Sequence, residues 1–439
     1  MSILGIELRR SAAAGAALLA FAVGVAALYL APGRWSEGWM PLVLSSKEYL
    51  ILLWPLALAA GAWQGRREHR AKVGELFATT PRSRARRMLP VLVAMGATLA
   101  SAYLLVIVAG GVRIASTATY FPTDAITIVL VGALSLVAAV WLGLGLGRLL
   151  PALVTAPALA VAGVLLVFFT AIMRPRWLGA VFSPVFGSSQ WYAFQTIDSR
   201  VTGALAIWMG ALALTGVLML VGRSPRARVA AVLPALLGLG AATAIVPRDE
   251  AALFAPIDPV ARELVCTDDL PKVCVTRVHA NVLATLTPLA REGLAVLAKL
   301  PGAPTEVHED RRDYLAGETP ARDENVVTIP VRIDERGGLA HPAAVVPEIV
   351  LGLGVNGDGE CPRNDVVERA AAYYLLDREP VSDVGVIPGM FWEDPELNAE
   401  AVALWQGLRK LPPAEAMSRV AAVRTTILAC QDSTGLLSR

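Results

Sequence analysis

The chain has 439 residues, of which 55% are hydrophobic and 17% charged, with a mean hydropathy of +0.55. An ordinary soluble domain carries about 25% charged residues, so a single water-soluble globule is excluded. The net charge of +2 hides a split: residues 1–246 hold 20 Lys and Arg against 7 Asp and Glu, and residues 247–439 hold 19 against 30. Such asymmetry points to two physical environments along one chain.

Crossing a hydrocarbon core of about 30 Å takes roughly 20 apolar residues in a helix. Seven stretches meet that length in chain order: Ser11–Ala31, Lys47–Trp63, Leu89–Gly111, Ala125–Leu149, Ala152–Met173, Thr202–Val221 and Val229–Val246. Their centres are nearly free of ionisable groups. Pro55, Pro157 and Pro234 fall inside spans, where kinks are tolerated. Ahead of the first span, MSILGIELRRS suits a short helix lying in the membrane interface. A secretory signal is the rival reading of residues 1–31, but its apolar core is too long and no small-x-small site follows it cleanly.

Loop charges set the expected orientation. Residues Gly65–Met88 hold Arg66, Arg67, Arg70, Lys72, Arg82, Arg84, Arg86 and Arg87. Arg9 and Arg10, and then Arg223, Arg226 and Arg228, fall on the same side. The opposite connections carry only Arg34 and Lys47, Arg113, and then Arg174, Arg176 and Arg200. The expected protein is therefore a multi-pass protein of the cell membrane, with its N-terminus cytoplasmic and its C-terminal part outside.

Within the first basic connection the stretch KVGELFATTPRSRARRM, residues 72–88, asks for more than topology. Residues 68–79 read as a helix, with Val73, Leu76, Phe77 and Thr80 near one face, and Pro81 stops it. An exposed apolar face on this side wants a partner.

The run GELFATTPRSR resembles the first cytoplasmic loop of type-2 ABC exporter permeases. The positions that carry the resemblance are Glu68, Gly74, Glu75, Leu76, Phe77, Thr80, Pro81 and Arg82; Phe77 stands where leucine is common. IELRRS, residues 6–11, resembles the elbow that opens such permeases. The resemblance spans about residues 1–222 as a six-helix bundle. It implies that Val73–Thr80 is a coupling helix that docks on a separate ATPase. It further implies a second permease chain, identical or related, and two ABC-class ATPase subunits holding ATP and magnesium. No cofactor is expected on this chain, no catalytic role, and no nucleic acid among its partners; the lipid bilayer is its medium. The sequence has no G-x-x-x-x-G-K-[S/T] to cradle phosphates itself. In GLGLG, Gly143 and Gly147 form a small-xxx-small pair suited to close helix packing.

Residues 174–200 are aromatic, with Trp177, Phe182, Phe186 and Trp191, and are broken at Pro184 and Gly187. The resemblance implies a re-entrant helical hairpin there; an interfacial aromatic belt suits the same composition. The seventh span departs from the family and delivers the rest of the chain to the outer side.

The acidic part, residues 247–439, reads as an α+β domain. Helices are expected at Thr276–Leu300, Ala343–Leu353, Asp365–Leu376, Pro395–Leu411 and Ala414–Cys430, and strands at Thr305–Glu309 and Asn325–Ile333. Outside the cytoplasm cysteines pair. Cys266 with Cys274 and Cys361 with Cys430 is the preferred arrangement of three, because the first two are close in sequence.

No metal site is expected, since no C-x-x-C or H-E-x-x-H occurs. The order of elements around HPAAVVPEIVLGL resembles gluzincin aminopeptidases in outline. His341 and Glu348 lie seven apart and do not reproduce the ligand spacing. Glu306, Glu309, Asp310, Asp313, Asp323 and Glu324 read as a solvated face. The leading expectation is an exporter permease whose outer domain gates, shields or receives substrate. A membrane-anchored sensor or binding protein is the alternative, and a membrane peptidase is the weakest reading.

Overall fold

The computed structural model describes residues 12–71, 83–189, 192–222, 224–254, 256–313, 317–318, 323–356, 361–381 and 395–438. The chain divides into two compact units: Met1–Ser116 with Phe121–Asp258, and Thr117–Tyr120 with Pro259–Arg439.

The regular elements of the first unit are all helices among the described residues. Its elements are α1 (Ala13–Leu30), α2 (Trp39–Glu48), α3 (Leu50–Gly65), the short α4 (Arg67–Arg70), α5 (Arg84–Ile114), α6 (Asp124–Leu149), α7 (Thr155–Ile172), α8 (Arg176–Phe182), α9 (Ser199–Val221), α10 (Pro225–Ala230), α11 (Leu233–Ile245) and α12 (Glu250–Phe254). Among the described residues six helices are long and apolar enough to cross a bilayer, with Pro225–Ile245 taken as one. The bent pair Trp39–Glu48 and Leu50–Arg70, angled by 46°, makes up to seven. Apolar side chains such as Leu165, Phe168, Phe169 and Ile172 on α7 remain exposed, as lipid-facing residues do.

The second expected span is corrected by the structure. It starts at Leu50, and Lys47 belongs to a separate preceding helix whose residues Met40 to Lys47 are all buried. Ser45, Ser46, Lys47 and Glu48 look like a loop in a hydropathy reading, but the protein satisfies their polar groups internally. Ser46 Oγ donates to Leu42 O at 2.8 Å, Lys47 Nζ donates to Phe186 O, and Glu48 pairs with Arg34 at 2.6 Å.

Helix α6 is the axis of the bundle, packing on α3, α5 and α9. Its closest neighbour is α3. A Cβ built on Gly143 would overlap the Leu58 carbonyl, and one on Gly147 would overlap that of Ala62. The relation is mutual, since Gly61 and Gly65 of α3 lie against the carbonyls of Val140 and Leu144. Two small-xxx-small rows thus bring the two backbones into contact, the geometry that substitutes for hydrophobic driving force in lipid.

The second unit is built on a four-stranded sheet, in order β1 (Leu264–Cys266), β2 (Lys272–Thr276), β3 (Glu306–Glu309), β4 (Val326–Ile329). β1 is antiparallel to β2, and β2, β3 and β4 are parallel. The helices are α13 (Leu283–Leu297), α14 (Pro342–Val350), α15 (Asp365–Leu375), α16 (Pro395–Arg409) and α17 (Pro413–Leu428). One core joins Val273, Val275, Val307, Val327 and Ile329 of the sheet to Leu294 of α13, Ile349 of α14, Ala371 of α15 and Val423 of α17.

The expected helix Thr276–Leu300 is corrected. Residue 276 ends β2, a 3-10 turn covers Arg277–Val282, and the α-helix begins only at Leu283. The run KVCVT is β-branched and buried, which favours a strand over a helix. The two short strands β1 and β2 carry no turn signal beyond DDLP and were not expected.

Cys266 and Cys274 face each other in the β1–β2 register and are bonded. Cys361 and Cys430 are bonded across 69 residues. Buried Arg424 of α17 holds two turns: Nη2 donates to Gly302 O at 2.6 Å and Nη1 to Leu353 O. Along β4, Asn356 Oδ1 accepts from Thr328 N at 2.8 Å and its Nδ2 donates to Val326 O at 2.9 Å.

Candidate functional site

One end of the helical unit gathers the start of α1, the end of α3, α4, and the start of α5. The ends of α6 and α9 meet there too. Ala12 N donates to Gln64 Oε1 at 3.4 Å, and Arg84 Nη1 to Gly222 O at 3.5 Å. The helix that follows Gly65 is pinned at once. Arg66 Nη1 donates to Leu153 O at 3.3 Å, while Arg66 and Arg70 stack on Trp63 at 5.2 and 5.5 Å. Glu68 meets Arg148 Nη1 at 3.2 Å with both side chains mostly shielded. Arg148 closes α6, so this ion pair ties the first residues of the basic connection to the helix that Gly143 and Gly147 join to α3. The other coupling positions, Val73, Gly74, Glu75, Leu76, Phe77, Thr80, Pro81 and Arg82, lie outside the described residues. So does residues 6–11, the expected elbow.

The opposite end carries residues 174–198. Among the described residues of this stretch the helix is α8. Ser183 and Pro184 end it, and Gly187 turns the chain at φ +75°, after which residues 188–189 and 192–198 run without helix. This stretch packs on α9 and on the segment leaving α11. Phe182 meets Trp208 at 5.5 Å, Phe186 meets Phe254 at 5.6 Å, and Arg248 lies 3.6 Å over Trp177. Gln195 bridges Ile257. Trp191 is outside the described residues. Lys47, read from sequence as a loop charge, is instead 3% exposed beneath Phe186. Its sequence signal was the polar run SSKE between two apolar runs.

In the second unit the acidic face expected from sequence divides: Asp323 and Glu324 are exposed, Glu306 and Asp310 half-buried, and Glu309 and Asp313 internal. Glu309 is 4% and Asp313 5% exposed. Glu309 accepts from Thr276 N at 2.6 Å and lies 2.6 Å from His279 Nδ1, so its strand position turns this acid inward and pairs it. Asp310 receives Arg312 Nε at 2.8 Å. Among the described residues no three His, Cys, Asp or Glu stand together as metal ligands. His341 precedes α14, and Glu348 stands on that helix.

Glu348 lines a cleft of about 430 Å³ beside β4, which Asp310, Arg312, Thr328, Asn356, Arg363, Glu368 and Arg369 also border. Glu368 is 3% exposed and bonded to Arg363. Gly352, at φ +75°, leaves the Arg363 guanidinium the space a Cβ would fill. Burial pushes the Glu348 carboxyl up to about 7, the opposing pull of Arg332 at 3.6 Å being weaker. Glu368 is raised too, by burial against the pull of Arg363.

A carboxyl raised in the folded state binds more protons folded than unfolded between pH 4.5 and 7. The neutral Glu348 therefore stabilises the second unit fully below about pH 4.5, and this contribution is lost as pH rises through about 7. The loss amounts to about 3 kcal/mol at about 1.4 kcal/mol per unit. Urea midpoints of the second unit should fall between pH 5 and 8 in the native chain and flatten in Glu348→Gln.

No family profile, curated protein or solved structure matches this chain.

Proposed function

We propose that the chain is the permease subunit of an ATP-driven exporter of the ABC class, working beside a second permease chain and separate ATPase subunits. What supports the reading best is α4, the described helix just ahead of the GELFATTPRSR stretch in sequence, which Glu68 fixes to Arg148 at the basic end of a bundle of apolar helices. The chain leaves that bundle through residues 246–258, at the opposite end. The two disulfides beyond Pro259 suit an oxidising compartment, and the basic end suits the cytoplasm, so both signs agree on one orientation.

In this reading, nucleotide-driven closure of the ATPases pushes on residues 73–80. The Glu68–Arg148 pair passes the motion to α6, and the glycine contacts pass it on to α3. The cleft of the second unit favours a second reading, a membrane-anchored binding or sensing protein whose bundle transports nothing.

The two readings part on one experiment. The exporter should co-purify from mild detergent with a P-loop ATPase, and Gly74→Pro or Phe77→Asp should lower its transport-linked ATPase rate by about tenfold or more, the loss of about 1.4 kcal/mol of coupling. Absence of any ATPase, with both variants silent, would leave the sensor. Thiol labelling of intact cells reports the orientation: all four cysteines are bonded, so no label should enter without reductant.

A further inference from the structure

The cleft of the second unit holds acceptors that the protein does not match. Four carboxyl groups border it, Asp310, Glu348, Asp365 and Glu368, against the guanidinium groups of Arg312, Arg363 and Arg369. The arginines are engaged. Arg312 is held by Asp310 at 2.8 Å, Arg363 by Glu368 and by Val355 O at 3.3 Å, and Arg369 by Asn398 at 3.3 Å. The carboxyls are not all so served. Glu368 Oε1 is buried with no hydrogen-bond donor. Glu348 has Arg332 at 3.6 Å, beyond hydrogen-bond range. A buried carboxylate oxygen left without a donor costs about 1–3 kcal/mol or more, and native proteins rarely carry that cost without a use.

We propose that this cleft binds a small ligand through a primary ammonium group seated on Glu368 and Glu348. An ammonium brings three N–H donors and a positive charge to Glu368 Oε1, which has no donor, and to Glu348, whose nearest cation, Arg332, stands 3.6 Å away. A metal ion fits less well, because no third metal-ligating side chain joins these two among the described residues. The volume of about 430 Å³ falls within the range of pockets that enclose small molecules. An extended peptide cannot lie along β4 as an added strand. Asn356 already holds Thr328 N and Val326 O, so the ligand enters by its amino end alone. The proposal goes beyond the transport reading and does not rest on it.

The test uses the full chain in detergent at pH 7.5, titrated calorimetrically with leucinamide and with N-acetylleucinamide, its neutral counterpart. Leucinamide should bind saturably, and the acetylated probe at least about tenfold more weakly, the worth of one charge-assisted hydrogen bond. Glu348→Gln and Glu368→Gln should each weaken leucinamide by a similar factor. If Glu368→Gln fails to fold, Glu348→Gln and the pair of probes still decide. The proposal is overturned if leucinamide does not bind, if both probes bind alike, or if folded Glu348→Gln keeps full affinity. Saturable zinc binding that displaces leucinamide and is lost in Glu348→Gln would equally overturn it in favour of a metal.

Discussion

Gly143→Leu and Gly147→Leu are expected to prevent assembly of the helical unit, whereas Gly210→Ala and Gly240→Ala should leave it intact. The contrast follows from what each side chain would meet. At Gly143 and Gly147 the first added carbon overlaps a main-chain carbonyl of α3, which cannot rotate away as a side chain can. At Gly210 and Gly240 nothing lies within 4 Å. Alanine at Gly143 already forces the helices apart, at an overpacking cost of about 1–3 kcal/mol. The reciprocal contacts of Gly61 and Gly65 slacken in the same step, so the effect spreads along the whole seam. Leucine adds three further carbons to a gap that has no room for one. Thermal unfolding in detergent, followed by size-exclusion profile, should show the monodisperse peak lost for both leucine variants and its midpoint lowered for Gly143→Ala. Should Gly143→Leu melt with the native chain, α3 and α6 are not in backbone contact.

Removing the Cys361–Cys430 bond is expected to produce the second largest loss. It closes a loop of 69 residues, and the chain-entropy relation gives about 4 kcal/mol for a loop of that length. Cys266–Cys274 closes only 8 residues and joins strands already paired by their ladder; the same relation gives about 2.5 kcal/mol. Cys361→Ser with Cys430→Ser should therefore lower the urea midpoint of the second unit more than Cys266→Ser with Cys274→Ser. Such a domain has a typical stability of about 5–15 kcal/mol, so the larger loss is a sizeable share of the whole. Equal midpoints for the two double variants would show that loop length does not govern the effect.

The apolar helices were legible because the bilayer leaves them so few alternatives: a chain that must satisfy its own backbone in lipid has to be helical and long. Helix α2 was not legible. Its Ser45, Ser46, Lys47 and Glu48 mimic a loop; partners distant in sequence, Phe186 for the buried Lys47 and Arg34 for the half-exposed Glu48, hold them in helix. The helices of the second unit were read to within a few residues where their apolar faces repeat, as in Asp365–Leu375. The strands β1 and β2 escaped because three and five residues give too short a pattern to separate from the following helix. The two cysteine bonds were reached from sequence distance and compartment alone. The cleft was not. Glu348 and Glu368 stand on different helices, and nothing in their spacing reveals that both face one cavity or that Arg363 reaches only one of them. Sequence marks the groups; the fold decides which of them remain unmatched.

Asn356 settles how this second unit can meet other chains. An outermost strand normally offers a row of unpaired amides and carbonyls to any passing β-segment, and proteins blunt such rims to stay soluble. Here one carboxamide takes up both a donor and an acceptor of β4, acting as a single-residue stand-in for a neighbouring strand. Polymerisation by rim-to-rim stacking is discouraged at that border, and Asn356→Leu would reopen it.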